Sequence, residues 1–176
     1  MKYQKRKYSM PLRPWDKGRI ELERKILAEF GMRRKKEIWK AQAIAAGWRE
    51  RARFLAAHHN AEEEKKLIDK VHSFGLIAKN ATLDNILALT LEKILERRLQ
   101  TLVTKKGIGR TPKHARQLIV HGHVALDGRR IKWPSALIQT AEEGKISVYK
   151  KMASAKPKVE KAAEKVEAPA TPEDKK

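Results

Sequence analysis

The stretch ARQLIVHGHVALDGRRIKWPS, Ala115 to Ser135, decides the fold. Ala115, Leu118 and Ile119 recur at helical spacing, and Gly122 ends that pattern. Val124 and Leu126 then alternate as a strand does. Asp127-Gly128 is the two-residue signal for a type I′ hairpin turn. Ile131 and Trp133 continue a return strand that Pro134 ends. Arg116, Arg129, Arg130 and Lys132 stand around these punctuation marks, so a helix, a tight turn and a hairpin hold cations in a small rigid frame.

Upstream, Leu91, Ile94, Leu95, Leu99, Leu102 and Val103 form one helical stripe, with Thr90 as N-cap, a Leu89–Ile94 staple, Arg97 and Arg98 inside the helix, and Gly107 as its stop. Thr111 and Pro112 open the next helix as N-cap and first helical residue. Its free N–H groups suit a phosphate. Downstream, KISVYK reads as a last strand burying Ile146 and Val148. The stripe leaves Arg98, Lys105, Lys106, Arg110, Lys113, Arg116, Arg129 and Arg130 outside. A module of roughly this size, two helices and a short sheet, is too small to scaffold an active site.

The first half reads as helices. Asp16 caps a helix carrying Ile20, Leu22, Ile26, Leu27 and Phe30, stopped by Gly31. After the run Arg33, Arg34, Lys35 and Lys36, a long helix spans about 37–57. Its stripe is Ile38, Ala41, Ala45, Trp48, Ala52 and Leu55. Lys40, Arg49, Arg51 and Arg53 lie largely off that stripe. They outnumber nearby acids, so helical pairing cannot neutralise them, and they read as a phosphate-facing surface rather than a merely solvated one. A third helix carries Leu67, Ile68, Val71 and Phe74, and its leading glutamates suit the helix dipole better than catalysis. ATLDNILALT reads as a short helical connector.

The chain has 176 residues, 41 Lys+Arg against 21 Asp+Glu, and a formal net charge of +20. Such a field attracts phosphate backbones and releases their counterions. The charge is blocked: +11 over residues 1–60, −1 over 61–93 and +9 over 94–152. Two basic blocks thus flank a neutral middle and suit two contact surfaces on one polyanion, or one surface built from both blocks. No apolar run approaches the roughly 20 residues of a bilayer span, and the basic start lacks a signal-peptide core. There is no cysteine, which excludes disulfides and thiolate zinc sites. His58-His59 and His121-x-His123 lack the three or four ligands of a zinc site, so no metal and no cofactor is expected. KKGIGR lacks the spacing of a phosphate-binding loop, and no acid–base or nucleophile constellation is present. The chain reads as a non-enzyme. Trp48 reads as core, Trp15 as packing on the first helix, and Trp133 as strand packing, with base stacking the other use of such rings.

ILERRLQTLVTKKGIGRTPKHARQLIVHGHVALDGRRIKWPS closely resembles the αL-type RNA-binding module named after small-subunit ribosomal protein four. PLRPW and FGMRRKKEIWKAQ resemble the archaeal and eukaryotic branch of the same ribosomal family, so the resemblance spans about residues 3–150. It implies a mainly α fold: a helical N-terminal domain over 1–90 and an αL-type module of two helices and a short antiparallel sheet over 91–152. The tail over 153–176 lies outside the resemblance; with no aromatic residue, three prolines and alternating charge it reads as disordered from its composition. The resemblance also implies a cytoplasmic structural protein of the small ribosomal subunit, laid on the five-prime domain of its RNA, nucleating assembly and influencing accuracy. Neighbours would be protein five and messenger RNA near the entry path; no membrane or DNA partner is expected. By motif, Thr111, Lys113, Arg116, Gln117, His121, His123, Arg129 and Arg130 would form the RNA face of the module. Arg33, Arg34, Lys35, Lys36, Lys40, Arg49, Arg53, Arg98, Lys105, Lys106 and Arg110 would complete the RNA-binding set. A loosely associated assembly or quality-control factor using the same module is the alternative. Some bacterial relatives hold zinc through N-terminal cysteines, which this chain lacks.

Overall fold

The computed structural model describes residues 6–149. The tail expected to be disordered, residues 153–176, lies outside them. Among the described residues, eight helices and a three-stranded sheet follow in order: α1 (Lys17–Glu29), α2 (Lys35–His58), α3 (Ala61–Ser73), α4 (Leu83–Leu87), α5 (Leu91–Glu96), α6 (Leu99–Lys105), α7 (Pro112–Val120), β1 (Val124–Leu126), β2 (Arg129–Arg130), α8 (Thr140–Glu143) and β3 (Ile146–Val148).

Helix α2 forms because its apolar residues recur at spacings of three and four. Ile38, Ala41, Ala45, Ala52 and Leu55 are all buried on one face. Trp48 is partly buried there and meets the Phe74 ring at 5.9 Å between centroids. Around α2 the first core gathers Phe30, Leu67, Val71, Ile86, Ile94 and Leu95, each fully buried large side chain contributing about 1.5–3 kcal/mol. Asn60 caps α3 by accepting from the Glu63 N–H. Asp16 and Thr90 occupy N-cap positions, but their side chains make no capping bond. Leu22, expected inside α1, is exposed; the buried residue of that helix is Glu23.

A second core holds Leu99, Leu102, Val103, Ala115, Ile119, Val124, Ile138 and Ile146. Ile94 and Leu95 of α5 pack into the first core, and the second core begins at Leu99. The single helix expected from Leu91 to Lys106 is broken at Arg97–Arg98. Arg98 takes an extended conformation (φ −72°, ψ 143°) and bridges Leu137. The Leu99 N–H donates to the Ala136 carbonyl at 2.8 Å, and the Ile138 N–H to the Arg97 carbonyl at 3.1 Å. The returning chain thus supplies hydrogen bonds that replace one helical turn.

Strand β1 lies central, antiparallel to both neighbours, in the order β2-β1-β3. Asp127 (φ 52°) and Gly128 (φ 75°) both take positive φ, the signature of a type I′ turn. The return strand is shorter than expected. It ends at Arg130, and Trp133 stands 69 % exposed beyond it. Val148 is also exposed, whereas Ile146 is buried. Helix α8, held by a Gln139–Glu142 capping box, had no clear apolar signal in so short a segment.

Candidate nucleic-acid interface

The two cores meet through polar groups. Gln100, 2 % exposed, directs its amide nitrogen at the carbonyls of Phe30, Gly31 and Pro112, at 3.0, 3.0 and 2.9 Å. Arg98, 5 % exposed, donates to Glu37 at 2.6 Å and to the Met32 sulfur at 2.9 Å. Arg116 of α7 reaches both oxygens of the same Glu37, at 3.0 and 2.9 Å, and its Nη1 also donates to the Gln100 Oε1 at 3.3 Å. One carboxylate from α2 therefore clamps two arginines from the second core. Burial pushes the Glu37 carboxyl up, but hydrogen bonds and charge from Arg116 and Arg98 outweigh it and hold the pKa below the usual value of 4.5.

Backbone approach is equally close. Gly31, at φ +58°, sits so near α7 that an added Cβ would lie 2.6 Å from the Pro112 Cβ and 2.9 Å from the Lys113 nitrogen. The start of α7 is thus packed against the α1–α2 turn, and its N-cap bond is internal, from the His114 N–H to Thr111. A second seam joins Gly75 to Thr140 and Arg97, and Arg97 donates to Glu143 at 2.9 Å.

These contacts redefine the candidate residues. Arg98 is not on the outside of a helix; it is buried and paired. Arg116 is half-buried and engaged with Glu37, so it acts first as a clamp between the cores. Arg49 is partly buried and donates to the Ala45 carbonyl, and Lys35 bonds Glu23 at 3.1 Å. Lys105 is exposed but paired with Glu96, and Lys106 donates to the Glu143 carbonyl. Arg33, Arg34, Lys36, Lys40, Arg53, Arg110, Thr111, Lys113, Gln117, His121, Arg129 and Arg130 are exposed, and His123 is partly so. Arg130 lies back across the hairpin: its stem would abut a Cβ at Gly122, and its guanidinium stands 4.5 Å from the centre of the Tyr149 ring. Stacking on an aromatic face fixes the cation without neutralising it.

The residues missed from sequence are the acids and amide that fix this geometry: Glu23, Glu37 and Gln100. Among the described residues, no group of three or more His, Cys, Asp or Glu is placed to hold a metal. No helix among them is long and apolar enough to cross a membrane. A groove of about 360 Å³ between α2 and residues 134–137 is floored by Glu37, Arg98 and Arg116, groups already committed to one another.

Comparison with known proteins bears on what such a surface serves. Residues 97–143 match the family model of the S4 domain. The chain is 42 % identical over 148 residues to small ribosomal subunit protein uS4 of Methanothermobacter thermautotrophicus, covering 82 % of this chain and 86 % of that one. The counterpart in Sulfurisphaera tokodaii is 47 % identical over 152 residues, covering 84 % and 86 %. That of Hyperthermus butylicus is 41 % identical over 167 residues, covering 93 % and 95 %.

Proposed function

The chain belongs to the archaeal-type family of small ribosomal subunit protein uS4, and from that premise we propose that it binds the five-prime domain of small-subunit ribosomal RNA, helps nucleate assembly there and contributes to decoding accuracy. Its role is structural and non-catalytic, within the small subunit of the cytoplasmic ribosome. The helical half through Glu96 and the αL-type half from Arg97 are the two contact units of this reading. Contacts with small-subunit protein five and with messenger RNA near its entry path belong to the same reading.

One observation carries it. The Glu37–Arg98–Arg116 clamp and the Gln100 amide fasten two basic blocks to each other, so exposed cations from both are presented at fixed spacing. A rigid array matches a folded RNA and releases its counterions without first losing conformational entropy. Recognition is of shape and phosphate position, because the A-form major groove admits few side chains. Arg129 and Arg130, at the hairpin tip, are the sharpest test. In the Arg129→Ala, Arg130→Ala variant, filter binding to five-prime-domain RNA weakens, and the slope of log affinity against log salt falls by about 1 to 2, one for each phosphate no longer neutralised. An unchanged slope removes the hairpin from the interface. In high-salt washes of purified small subunits the chain stays stoichiometric; a loosely associated factor is washed away.

A further inference from the structure

Residues Arg6 to Trp15 approach α1 without regular structure, with Pro11 and Pro14 fixing their backbone. This arm is fastened at two points. Near its start, Tyr8 packs on Trp39 with ring centroids 6.1 Å apart. Near its end, Arg19 Nη2 donates to the carbonyls of Arg13 and Pro14, both at 3.0 Å. The other terminal nitrogen of Arg19 donates to Glu23 at 2.6 Å. Glu23 is only 3 % exposed and also accepts from the Trp39 indole at 3.0 Å, with Lys35 at 3.1 Å. A single buried carboxylate thus ties the arm, α1 and the start of α2 together.

What this anchorage holds outward is apolar. Trp15, expected against α1, is 88 % exposed, and Leu12 is fully exposed. A scattered surface leucine calls for no explanation. An indole displayed on a backbone fixed by two prolines and an arginine fork is different, because its display is built. The setting identifies the occupant. Five cations and one anion lie between Arg6 and Arg19. Lys35, on the same Glu23, belongs to the basic run whose Arg33, Arg34 and Lys36 are exposed. An aromatic face in a cationic field suits nucleic acid, whose bases stack while its phosphates pair with the surrounding charge.

We propose that Trp15 is a stacking platform for an unpaired RNA base, with Arg13 and Lys17 engaging the adjoining phosphates. The proposal rests on the RNA-binding reading above and adds a contact that charge alone does not supply. The test uses the full chain and five-prime-domain RNA, with filter binding across a salt titration. Trp15→Ala weakens binding about 5- to 150-fold, the loss of one base–aromatic stack. It leaves the salt slope and the melting temperature unchanged, since neither charge nor core is altered. Trp15→Phe recovers most of the affinity, and Arg13→Ala lowers the slope by about 1. Trp15→Ala binding like the parent chain overturns the proposal and assigns the indole to a protein neighbour. A Trp15→Ala loss accompanied by a lower melting temperature also overturns it, because the ring is then structural. If the parent chain itself shows no salt-dependent binding, the broader RNA reading fails instead.

Discussion

Glu37 illustrates how one residue sets both stability and its pH range. Its carboxylate is the sole bonded counter-charge of buried Arg98 and of half-buried Arg116 among the described residues. Glu37→Gln leaves both cations in place and removes what neutralises them. Breaking a buried pair from one side costs about 3–5 kcal/mol, so the denaturation midpoint drops sharply, as chemical unfolding followed by circular dichroism measures. The pH dependence has a definite sign. The folded pKa lies below 4.5, so the folded state binds fewer protons than the unfolded chain in that window. The stabilisation is complete above about 4.5 and is lost as pH falls through the depressed folded value. Glu23 behaves alike: burial raises its pKa, but hydrogen bonds from Trp39 and Lys35 and the charges of Arg19 and Lys35 lower it on balance. Unfolding midpoints taken between pH 7 and pH 3 therefore decline in the parent chain and decline less in Glu37→Gln, with the Glu23 contribution remaining.

At the scale of elements, two turn glycines separate conformational cost from packing cost. Gly31 and Gly107 both take positive φ, +58° and +73°. A Cβ at Gly107 meets nothing within 4 Å, whereas one at Gly31 runs into the Pro112 side chain and the backbone of α7. Gly107→Ala costs about 1–2 kcal/mol, the penalty of a left-handed alanine. Gly31→Ala costs that and, in addition, pushes the α1–α2 turn off the second core, so its unfolding midpoint falls further; an equal drop in both variants would remove Gly31 from the seam. Elements with a long apolar stripe or a strict turn signal were legible in advance: α2, α7 and the Asp127–Gly128 hairpin. The break between α5 and α6 was not, because Leu91 to Val103 keeps helical spacing across it, and only hydrogen bonds from residues 136 and 138, distant in sequence, select the extended Arg98. Some of the hidden site did leave a trace. Ile94, Arg98 and Leu102 are spaced by four, and Ile20, Glu23, Leu27 and Phe30 by three, four and three. Each pattern places a charge on an apolar face, and a charge so placed is buried only if a partner arrives from elsewhere. Which partner arrives depends on tertiary contacts more than 60 residues apart, as for Arg98 and Glu37, and no local pattern encodes it. Trp15 escaped because a proline-fixed segment has no periodicity from which to read a face.

For the whole molecule, the question is whether the clamp serves the RNA surface by position or by contact. Arg116 satisfies either account while it is observed alone, since removing it both breaks the clamp and deletes a cation. Replacing the whole cluster separates them. Buried ion-pair networks exchanged for apolar residues of similar volume are often neutral or stabilising, because the desolvation of the charges is relieved together with the loss of their attraction. The variant Glu37→Leu, Arg98→Met, Arg116→Leu lowers the formal net charge of +20 by only one, so long-range attraction for RNA is nearly preserved. If the cluster acts by holding the two cores in register, this variant unfolds in one cooperative transition, retains affinity for five-prime-domain RNA within a few-fold, and keeps its salt slope. The single substitution Glu37→Gln, by contrast, loses stability and weakens binding without removing any cation. The outcome against the clamp account is a triple variant that is as stable as the parent chain yet binds weakly with a slope reduced by about 1, for that pattern makes Arg116 a phosphate ligand. Position and contact thus differ in an observable that stability alone does not report: whether salt sensitivity follows the arginine or follows the register of the two cores.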